Sequence, residues 1–195
     1  MYRDYIKPVL DILGAFVAII FLFIPMLAIA VAIKLDSSGG VFFKQKRVGK
    51  NKKYFKILKF RTMRIDAPHD VPTHLLCGAD SCITKVGAFL RKTSLDELPQ
   101  LFNILFGQMS FIGPRPALWN QYDLIAERDK YGANDITPGL TGWAQINGRD
   151  ELPIDIKARF DGEYVERLSL SFDLKIFFKT FFKVLRTEGF KEGMS

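Results

Sequence analysis

The sequence has few of the residues and motifs that stabilise small secreted domains or mark the common nucleotide-binding folds. Only two cysteines occur among 195 residues, Cys77 and Cys82, which is too few for a disulfide framework and suits a reducing compartment. No P-loop, GxGxxG fingerprint or Ser-His-Asp arrangement is present. Internal repeats and low-complexity segments are also absent. These absences exclude a disulfide-stapled module and a P-loop enzyme, and nothing divides the chain into several domains.

Two long stretches near the N-terminus each lack one kind of residue: the first has no polar side chains, and the second has no acidic ones. No charged or polar side chain occurs between Ile12 and Ile33, and from Ser37 to Ile65 there is no acidic residue against ten Lys or Arg. As a helix rising ~1.5 Å per residue, the first stretch would be about 33 Å long, enough to cross a hydrocarbon core. A cleavable signal peptide fits poorly, because the apolar run is too long and no small-residue cleavage site follows it.

Two features of this apolar segment favour a re-entrant hairpin over a straight crossing. Pro25 lies near its middle, where a proline removes a backbone donor and kinks or breaks a helix. Both flanks are basic, with Arg3 and Lys7 on one side and seven Lys or Arg between residues 34 and 53 on the other. Basic flanks prefer the cytoplasm. A Pro-kinked transmembrane helix is the alternative, and in both cases the rest of the chain should be cytoplasmic.

The C-terminal part repeats the combination of apolar and basic residues. Between residues 172 and 186, four Lys or Arg recur at helical spacing on one face, and phenylalanines crowd the other. A basic stripe opposite a Phe-rich stripe is typical of an interfacial helix in the headgroup layer. The same pattern would serve a helix whose Phe face packs on the protein core. The formal charge of +7 favours anionic partners such as nucleic acid, anionic lipid or phosphorylated small molecules.

The chain between these ends mixes short strands with helices. Residues with β-propensity on both sides of a turn-like Gly49-Lys50-Asn51 predict a β-hairpin. Three proline or glycine residues in the polar stretch 66–82 predict a loop. Helices are expected at about 94–106, near 117–131, and over most of the chain after a Gly-rich connection. The predicted fold class is therefore mixed α/β and mostly helical.

The octapeptide at residues 93–100 contains the first candidate site. Ser94 followed by Glu97 forms a capping box, which predicts a helix start whatever the function. The same start places Asp96 in the first helical turn, where the macrodipole keeps a carboxylate ionised. Adjacent Asp96 and Glu97 can divide labour, one as nucleophile or metal ligand and the other as its partner. An aspartate that attacks phosphorus would form an acyl-phosphate.

Basic residues form the second candidate site. Arg115 lies between two prolines that fix the local backbone. A stiff Pro-Arg-Pro unit can hold a guanidinium in place for bidentate phosphate binding. A solvated basic face or lipid-headgroup contact explains most lysines between residues 44 and 56. The further candidates for substrate binding are Lys59, Arg61, Arg91 and Arg149.

A set of His and Cys residues and a Gly-rich segment are weaker candidates for a binding site. The spacing of His69, His74, Cys77 and Cys82 matches no common zinc template. The segment 138–149 combines three glycines with polar amides, which suits a close approach of the backbone to a ligand. Its Trp143 could stack on a base, although a structural turn with Trp143 in the core is equally plausible.

Four segments of the chain occur in the order that is typical of one protein family. Over about residues 2–186 the chain resembles the bacterial sugar transferase family, and more narrowly its small monotopic phosphoglycosyl transferases. The resemblance implies a re-entrant membrane helix over residues 1–36, and a cytosolic catalytic domain with amphipathic membrane-surface helices over 37–195. The segments that carry the resemblance are 59–63, 94–103, 109–116 and 138–149.

The resemblance also implies a ping-pong mechanism. Asp96 would be the nucleophile, with Glu97 as its partner and Mg²⁺ bound to Asp96. It would attack the sugar-linked phosphate of a UDP-sugar, expel UMP, and pass the phosphosugar to undecaprenyl phosphate. Arg115 would bind phosphate, and the other four basic candidates would be further substrate contacts. The implied place is the cytoplasmic face of the bacterial inner membrane, where the product initiates glycoconjugate synthesis, with downstream glycosyltransferases as possible partners.

The chain departs from the family pattern near its N-terminus. Ile24 stands where some relatives carry Ser before the proline, and Pro8 stands where a second basic residue is usual. The chain lacks the extra N-terminal spans of longer relatives and so resembles a minimal catalytic unit. Specificity is expected in the stretches 66–82 and 117–136.

The sequence leaves two alternatives to an enzymatic function. An inactive membrane-tethered relative, acting as a scaffold or binding protein in a glycan pathway, is the alternative, and the intact Asp96, Glu97 and Arg115 argue against it. A nucleic-acid partner is not expected, because nucleic-acid-binding proteins seldom carry a long apolar anchor.

Overall fold

The computed structural model of the chain describes residues 1–67, 82–148 and 152–185. A π-helical turn at Tyr2–Ile6 leads into the long helix α1 at Lys7–Asp36. Strands β1 (Phe42–Val48) and β2 (Tyr54–Phe60) follow and pair antiparallel. The later elements are α2 (Lys85–Thr93), a 3₁₀ turn (Leu95–Glu97), α3 (Gln100–Leu105), β3 (Ser110–Ile112), α4 (Tyr122–Asp129), β4 (Gly139–Thr141), α5 (Trp143–Asn147), α6 (Ile154–Glu166) and α7 (Leu170–Leu185).

The described residues are mostly helical with two small sheets, which confirms the predicted fold class. The hairpin around Gly49-Lys50-Asn51 is also confirmed, and its turn places Asn51 and Lys52 at positive φ. Strands β3 and β4 form a parallel pair that the sequence did not predict. This pair matters for the site, because β3 leads directly into the Pro-Arg-Pro segment and β4 leads into α5.

Helix α1 remains helical along its whole length, and Pro25 lies inside it. The helix therefore does not end at Pro25, and a kink at this proline stays a prediction. A proline removes one donor and crowds one carbonyl, and hydrogen bonds on both sides of it can continue a long helix. The helical stretch Tyr2–Asp36 is long and apolar enough to cross a membrane, judged by length and composition.

One face of α1 packs along the rest of the protein, from its first half to its last turn. Ala15 lies in an apolar cluster with Ile104 of α3. Ile33 lies in a second cluster with Phe60 of β2 and Leu90 of α2. Both halves of the helix therefore rest on the same domain. The opposite face is exposed and apolar, and includes Leu13, Phe16, Val17, Ile20, Phe21, Ile24, Leu27 and Val31.

Polar contacts fix α1 near both ends. Lys7 Nζ donates to Asp173 Oδ2 of α7 at 2.7 Å, and both side chains are buried. Asp11 Oδ1 accepts from the main-chain N–H of Phe111 in β3 at 3.1 Å. At the other end, Asp36 accepts a hydrogen bond from the first turn of α2. Burying such groups is tolerated because they are paired, and the pairing fixes where α1 lies.

The C-terminal helix α7 leaves its aromatic face uncovered by the described residues. Phe172, Asp173 and Ile176 face the protein and are buried. Of the two alternatives for this helix, packing of the whole Phe face on the described core is thus wrong, and the exposed face fits an interfacial helix. Four phenylalanines of α7 are about half exposed: Phe177, Phe178, Phe181 and Phe182.

Candidate active site

The turn that carries the two acidic candidates differs from the predicted capping box. Ser94 adopts a left-handed conformation (φ 58°), ends α2, and makes no side-chain cap. Glu97 is held by two cations and does not reach back to the backbone of Ser94. The predicted helix at 94–106 is divided accordingly into the 3₁₀ turn and α3, which begins after Pro99. Asp96 does lie in the first turn, as expected.

Asp96 is a nearly buried carboxylate whose oxygens accept no hydrogen bond from the described part of the chain. Its side chain faces Lys59, with Nζ 3.7 Å from Oδ2. Burial raises the pKa of Asp96 above its ordinary value, the positive charge of Lys59 lowers it by less, and the negative charge of Glu97 raises it. A carboxylate that is poorly solvated and not hydrogen-bonded is well suited to act as a nucleophile or ligand.

Glu97 has the opposite environment, although it is the next residue. Its Oε1 accepts from Lys59 Nζ at 2.8 Å and from Arg115 Nη2 at 2.9 Å. Burial alone would raise the pKa of Glu97, but Arg115 and Lys59 together hold this pKa well below its usual range. Glu97 therefore stays ionised and fixes two cationic groups beside Asp96.

The structure brings together some of the predicted basic residues and separates others. Lys59 and Arg115 meet at Glu97, and Arg91 lines the same cavity, where its Nε donates to Thr62 Oγ1 at 2.9 Å. Arg61 also lines the cavity, but its Nη atoms bind the carbonyls of Ser37 and Ser38 just after α1. Its position favours bracing of α1, and its role as a substrate contact stays a prediction. Arg149 lies outside the described residues.

Backbone packing holds the Pro-Arg-Pro segment in place. The N–H of Gly113 donates to Thr141 O at 2.8 Å, and the N–H of Gly139 donates to Pro114 O at 2.9 Å. A Cβ atom on Gly139 would lie only 2.1 Å from Gly113 N, so this approach of two chains requires glycine. The close approach predicted for segment 138–149 is thus made to the protein's own backbone.

Two arginines that sequence reasoning missed hold the carbonyls of this segment. Arg47 of β1 donates to Pro116 O at 3.0 Å, and Arg128 of α4 donates to Arg115 O. Arg128 is itself paired with the buried Asp161 of α6. Neither arginine lies in a recognisable motif, and single charged residues in a helix or strand usually indicate a solvated face.

These residues surround one large cavity of about 1310 Å³. Ligand pockets commonly measure ~300–1,000 Å³, so the space exceeds that of an ordinary small-molecule site. One part of the wall is polar and carries Lys59, Asp96 and Arg115. Another part is apolar and lies between α1 and α7; its residues include Ala18, Leu22, Phe111, Leu140, Phe177 and Phe181.

Trp143 and Gln145 of α5 have different environments. Trp143 packs on Phe172 with ring centroids 5.1 Å apart, and its Nε1 donates to Glu163 at 2.8 Å. It does not line the cavity, which favours its structural interpretation over base stacking. Gln145 does line the cavity. Sequence reasoning did not single it out beyond noting the polar amides of this segment.

The site offers a limited set of metal ligands. Within the three described ranges, no group of three or more His, Cys, Asp or Glu side chains is placed to hold a metal ion. Mg²⁺ is commonly bound by one or two carboxylates together with substrate phosphates and water. Asp96 fits that role, since its oxygens accept no hydrogen bond from any described residue, whereas Glu97 Oε1 is occupied by two cations. Of the four His and Cys residues at 69–82, only Cys82 is described.

Comparison with known proteins identifies relatives over most of the chain. The chain is 45% identical over 174 residues to the UDP-glucose:undecaprenyl-phosphate glucose-1-phosphate transferase of Escherichia coli (strain K12), covering 85% of this chain and 37% of that protein. It is 40% identical over 186 residues to the protein of the same name from Xanthomonas campestris pv. campestris, covering 92% and 38%. The chain thus spans less than half the length of these two relatives.

A relative of similar size is the exopolysaccharide production protein ExoY of Rhizobium meliloti, which is 40% identical over 194 residues, covering 92% of this chain and 85% of that protein. A family model described as bacterial sugar transferase matches residues 2–187, a range that includes α1, the acidic turn, the Pro-Arg-Pro segment and α7. The chain therefore belongs to the bacterial sugar transferase family.

Proposed function

We propose that this chain transfers a phosphosugar from a UDP-sugar to undecaprenyl phosphate, releases UMP, and thereby initiates the synthesis of a bacterial glycoconjugate. The observation that carries the proposal is the environment of Asp96. It is a buried carboxylate that accepts no hydrogen bond from the described residues, 3.7 Å from Lys59, at the polar end of a cavity whose other wall is apolar. The names of two relatives describe such a transfer between a UDP-sugar and undecaprenyl phosphate.

The proposed reaction has two steps at one phosphorus atom. A carboxylate oxygen of Asp96 attacks the sugar-linked phosphorus, the bond from that phosphorus to the bridging oxygen breaks, and UMP leaves with the bond's electron pair. The enzyme then carries an aspartyl-phosphosugar. In the second step a phosphate oxygen of undecaprenyl phosphate attacks the same phosphorus, and the bond to Asp96 breaks. This restores the carboxylate and gives undecaprenyl-diphosphate-sugar.

The cationic residues of the site lower the cost of bringing an anionic diphosphate to an anionic carboxylate. Glu97 holds Lys59 and Arg115 beside Asp96, at 2.8 and 2.9 Å from its own oxygen. These groups are placed before the substrate arrives, which is the condition for effective electrostatic stabilisation. Asp96 is also the residue that would hold Mg²⁺, and the ion would supply further neutralisation of the diphosphate.

The packing of α1 supports a monotopic arrangement at the cytoplasmic face. A helix that crossed the bilayer could not carry along its whole length a domain with a charged cavity, because that domain would enter the hydrocarbon. Contacts of Ala15 and Ile33 with the same domain span most of α1. The exposed faces of α1 and α7 would both contact lipid, with both ends of α1 on the cytoplasmic side.

Cysteine labelling tests this topology in cells. With Cys77 and Cys82 replaced by serine, single cysteines at residues 2 and 51 should both react only from the cytoplasmic side. Labelling of residue 2 from outside would mean that α1 crosses the membrane.

The transfer reaction is tested with purified full-length protein, UDP-sugars, Mg²⁺ and a polyprenyl phosphate. Sustained UMP release should require all three components, and Asp96→Asn should abolish it. Lys52→Ala is the matched control, because the Lys52–Asp129 pair is exposed and far along the chain from the acidic turn. With donor alone, rapid-quench mass spectrometry should show the phosphosugar mass on Asp96. Full activity of Asp96→Asn would refute the nucleophile.

A further inference from the structure

One buried acceptor in the cavity wall has no partner among the residues that the structure describes. Gln145 Nε2 donates to the carbonyl of Leu140 at 3.2 Å, which fixes the orientation of the amide. Its Oε1 is buried and accepts no hydrogen bond from the described residues, and the side chain lines the cavity that contains Asp96. Buried polar atoms are nearly always paired, so an unpaired acceptor on a side chain that lines a ligand cavity points to a ligand group.

Glycine packing connects this acceptor to the phosphate-binding segment. A Cβ atom on Gly142 would lie 2.1 Å from Gly113 O and 3.3 Å from Gln145 Oε1. Gly113 is two residues before Arg115, and its N–H is bonded to Thr141 O. The unpaired oxygen is therefore placed next to the backbone that carries Arg115, and not at a remote part of the cavity.

We infer that Gln145 recognises a neutral hydrogen-bond donor, an O–H or N–H group, of the nucleotide sugar. This inference rests on the proposed function. An amide oxygen cannot bind an ionised phosphate, because both are acceptors. A UDP-sugar offers sugar hydroxyls, ribose hydroxyls and the uracil N–H. A polyprenyl phosphate offers an ionised phosphate and an apolar chain. Gln145 is accordingly a specificity residue for the donor substrate and not for the lipid.

The test is the effect of Gln145→Met on the two substrates separately, in full-length protein with Mg²⁺. Methionine has a similar shape and no acceptor of comparable strength. The value of kcat/KM for the UDP-sugar should fall about three- to tenfold, the range expected for one neutral hydrogen bond. If the group belongs to the nucleoside, the value for the polyprenyl phosphate should be unchanged, because UMP has left before the second step. Glu166→Met, a change to methionine at an exposed position outside the cavity lining, should affect neither value.

Inhibition by UMP distinguishes the two sources of the donor group. If Gln145→Met weakens UMP inhibition by the same factor, the group belongs to the nucleoside. If UMP inhibition is unchanged while kcat/KM for the UDP-sugar falls, the group belongs to the sugar. Gln145→Asn, which keeps an amide but withdraws it by one methylene, is the second variant if the methionine variant does not fold.

Two results would overturn the inference. One is an unchanged kcat/KM for the UDP-sugar in both folded variants. The other is a fall for the polyprenyl phosphate together with weaker inhibition by UMP, which neither a nucleoside contact nor a sugar contact explains and which would indicate general damage to the site. A wild-type protein that transfers nothing would instead refute the proposed function, so the two failures are distinguishable.

Discussion

Arg128 Nη1 donates a hydrogen bond of 3.0 Å to the main-chain carbonyl of Arg115, the residue whose guanidinium faces Glu97. The same Arg128 contacts Asp161 Oδ2 through Nη2 at 2.6 Å and through Nε at 2.8 Å. Arg128 and Asp161 are 4% and 1% exposed. This buried pair therefore acts on the site indirectly, by fixing the backbone from which Arg115 extends.

The first prediction concerns this positioning. Arg128→Lys keeps a positive charge for Asp161 but cannot also donate to the Arg115 carbonyl, because an ammonium lacks the planar fork. We expect kcat/KM for the UDP-sugar to fall about tenfold, the equivalent of one charge-assisted hydrogen bond, while the protein remains folded. UMP release and thermal unfolding measure the two effects. Lys130→Ala, which removes an exposed pair with Glu127, is the control; unchanged activity of Arg128→Lys would contradict the role.

The second prediction concerns pH. Asp96 attacks only when ionised, and its raised pKa means that the acidic limb of the single-turnover UMP burst should lie above the ~3.9 of a free aspartate. Lys59→Met removes a positive charge that lowers this pKa, so the limb should move to higher pH. Glu97→Gln removes a negative charge that raises it, so the limb should move to lower pH. Shifts of both variants in the same direction would refute the assignment.

The third prediction concerns the exposed aromatic face of α7. A fluorophore on Phe178→Cys should be quenched by brominated lipids in vesicles, because this side chain is half exposed on the apolar face and does not line the cavity. A fluorophore on Lys52→Cys, in the hairpin turn, should not be quenched. Both variants are made with Cys77 and Cys82 replaced by serine. Equal accessibility of both fluorophores to an aqueous quencher would show that the face does not enter the bilayer.

The fourth prediction concerns the link between α1 and α7. Lys7→Met leaves the buried Asp173 without its cation, and breaking a buried pair costs ~3–5 kcal/mol. Tyr2 and Tyr164 still donate to Asp173, so the loss should lie at the lower end of that range. Thermal unfolding in detergent measures it. The double variant Lys7→Met/Asp173→Asn should recover part of the stability; a further loss of stability would contradict the pairing.

Local sequence patterns predicted those features that depend on neighbouring residues. The β1–β2 hairpin follows from two β-prone stretches on either side of a short turn. Asp96, Glu97 and Arg115 occur in motifs, and the structure brings Glu97 and Arg115 together. Specificity was expected in the stretches 66–82 and 117–136. Most of the first stretch lies outside the described residues, and the second supplies Arg128, which holds the Arg115 carbonyl.

Features that depend on distant partners could not be predicted in the same way. The capping box at Ser94 was wrong because Lys59 and Arg115, far away in sequence, bind Glu97 more strongly than a backbone N–H would. The helix continues past Pro25, because the proline rule describes a local hydrogen bond, whereas α1 packs on the domain along its length. The unpaired oxygen of Gln145 depends on the fold around it, and no spacing in the sequence indicates it.

The glycines at 113, 139 and 142 impose a constraint of their own on the evolution of this protein. At each of them the obstacle to a larger residue is another backbone 2.1 to 2.7 Å away, which no side-chain repacking can move. Even one added methyl group would have to separate two main chains and would displace Arg115 with them. Mutational tolerance should therefore be low at these three positions, although they carry no chemistry themselves.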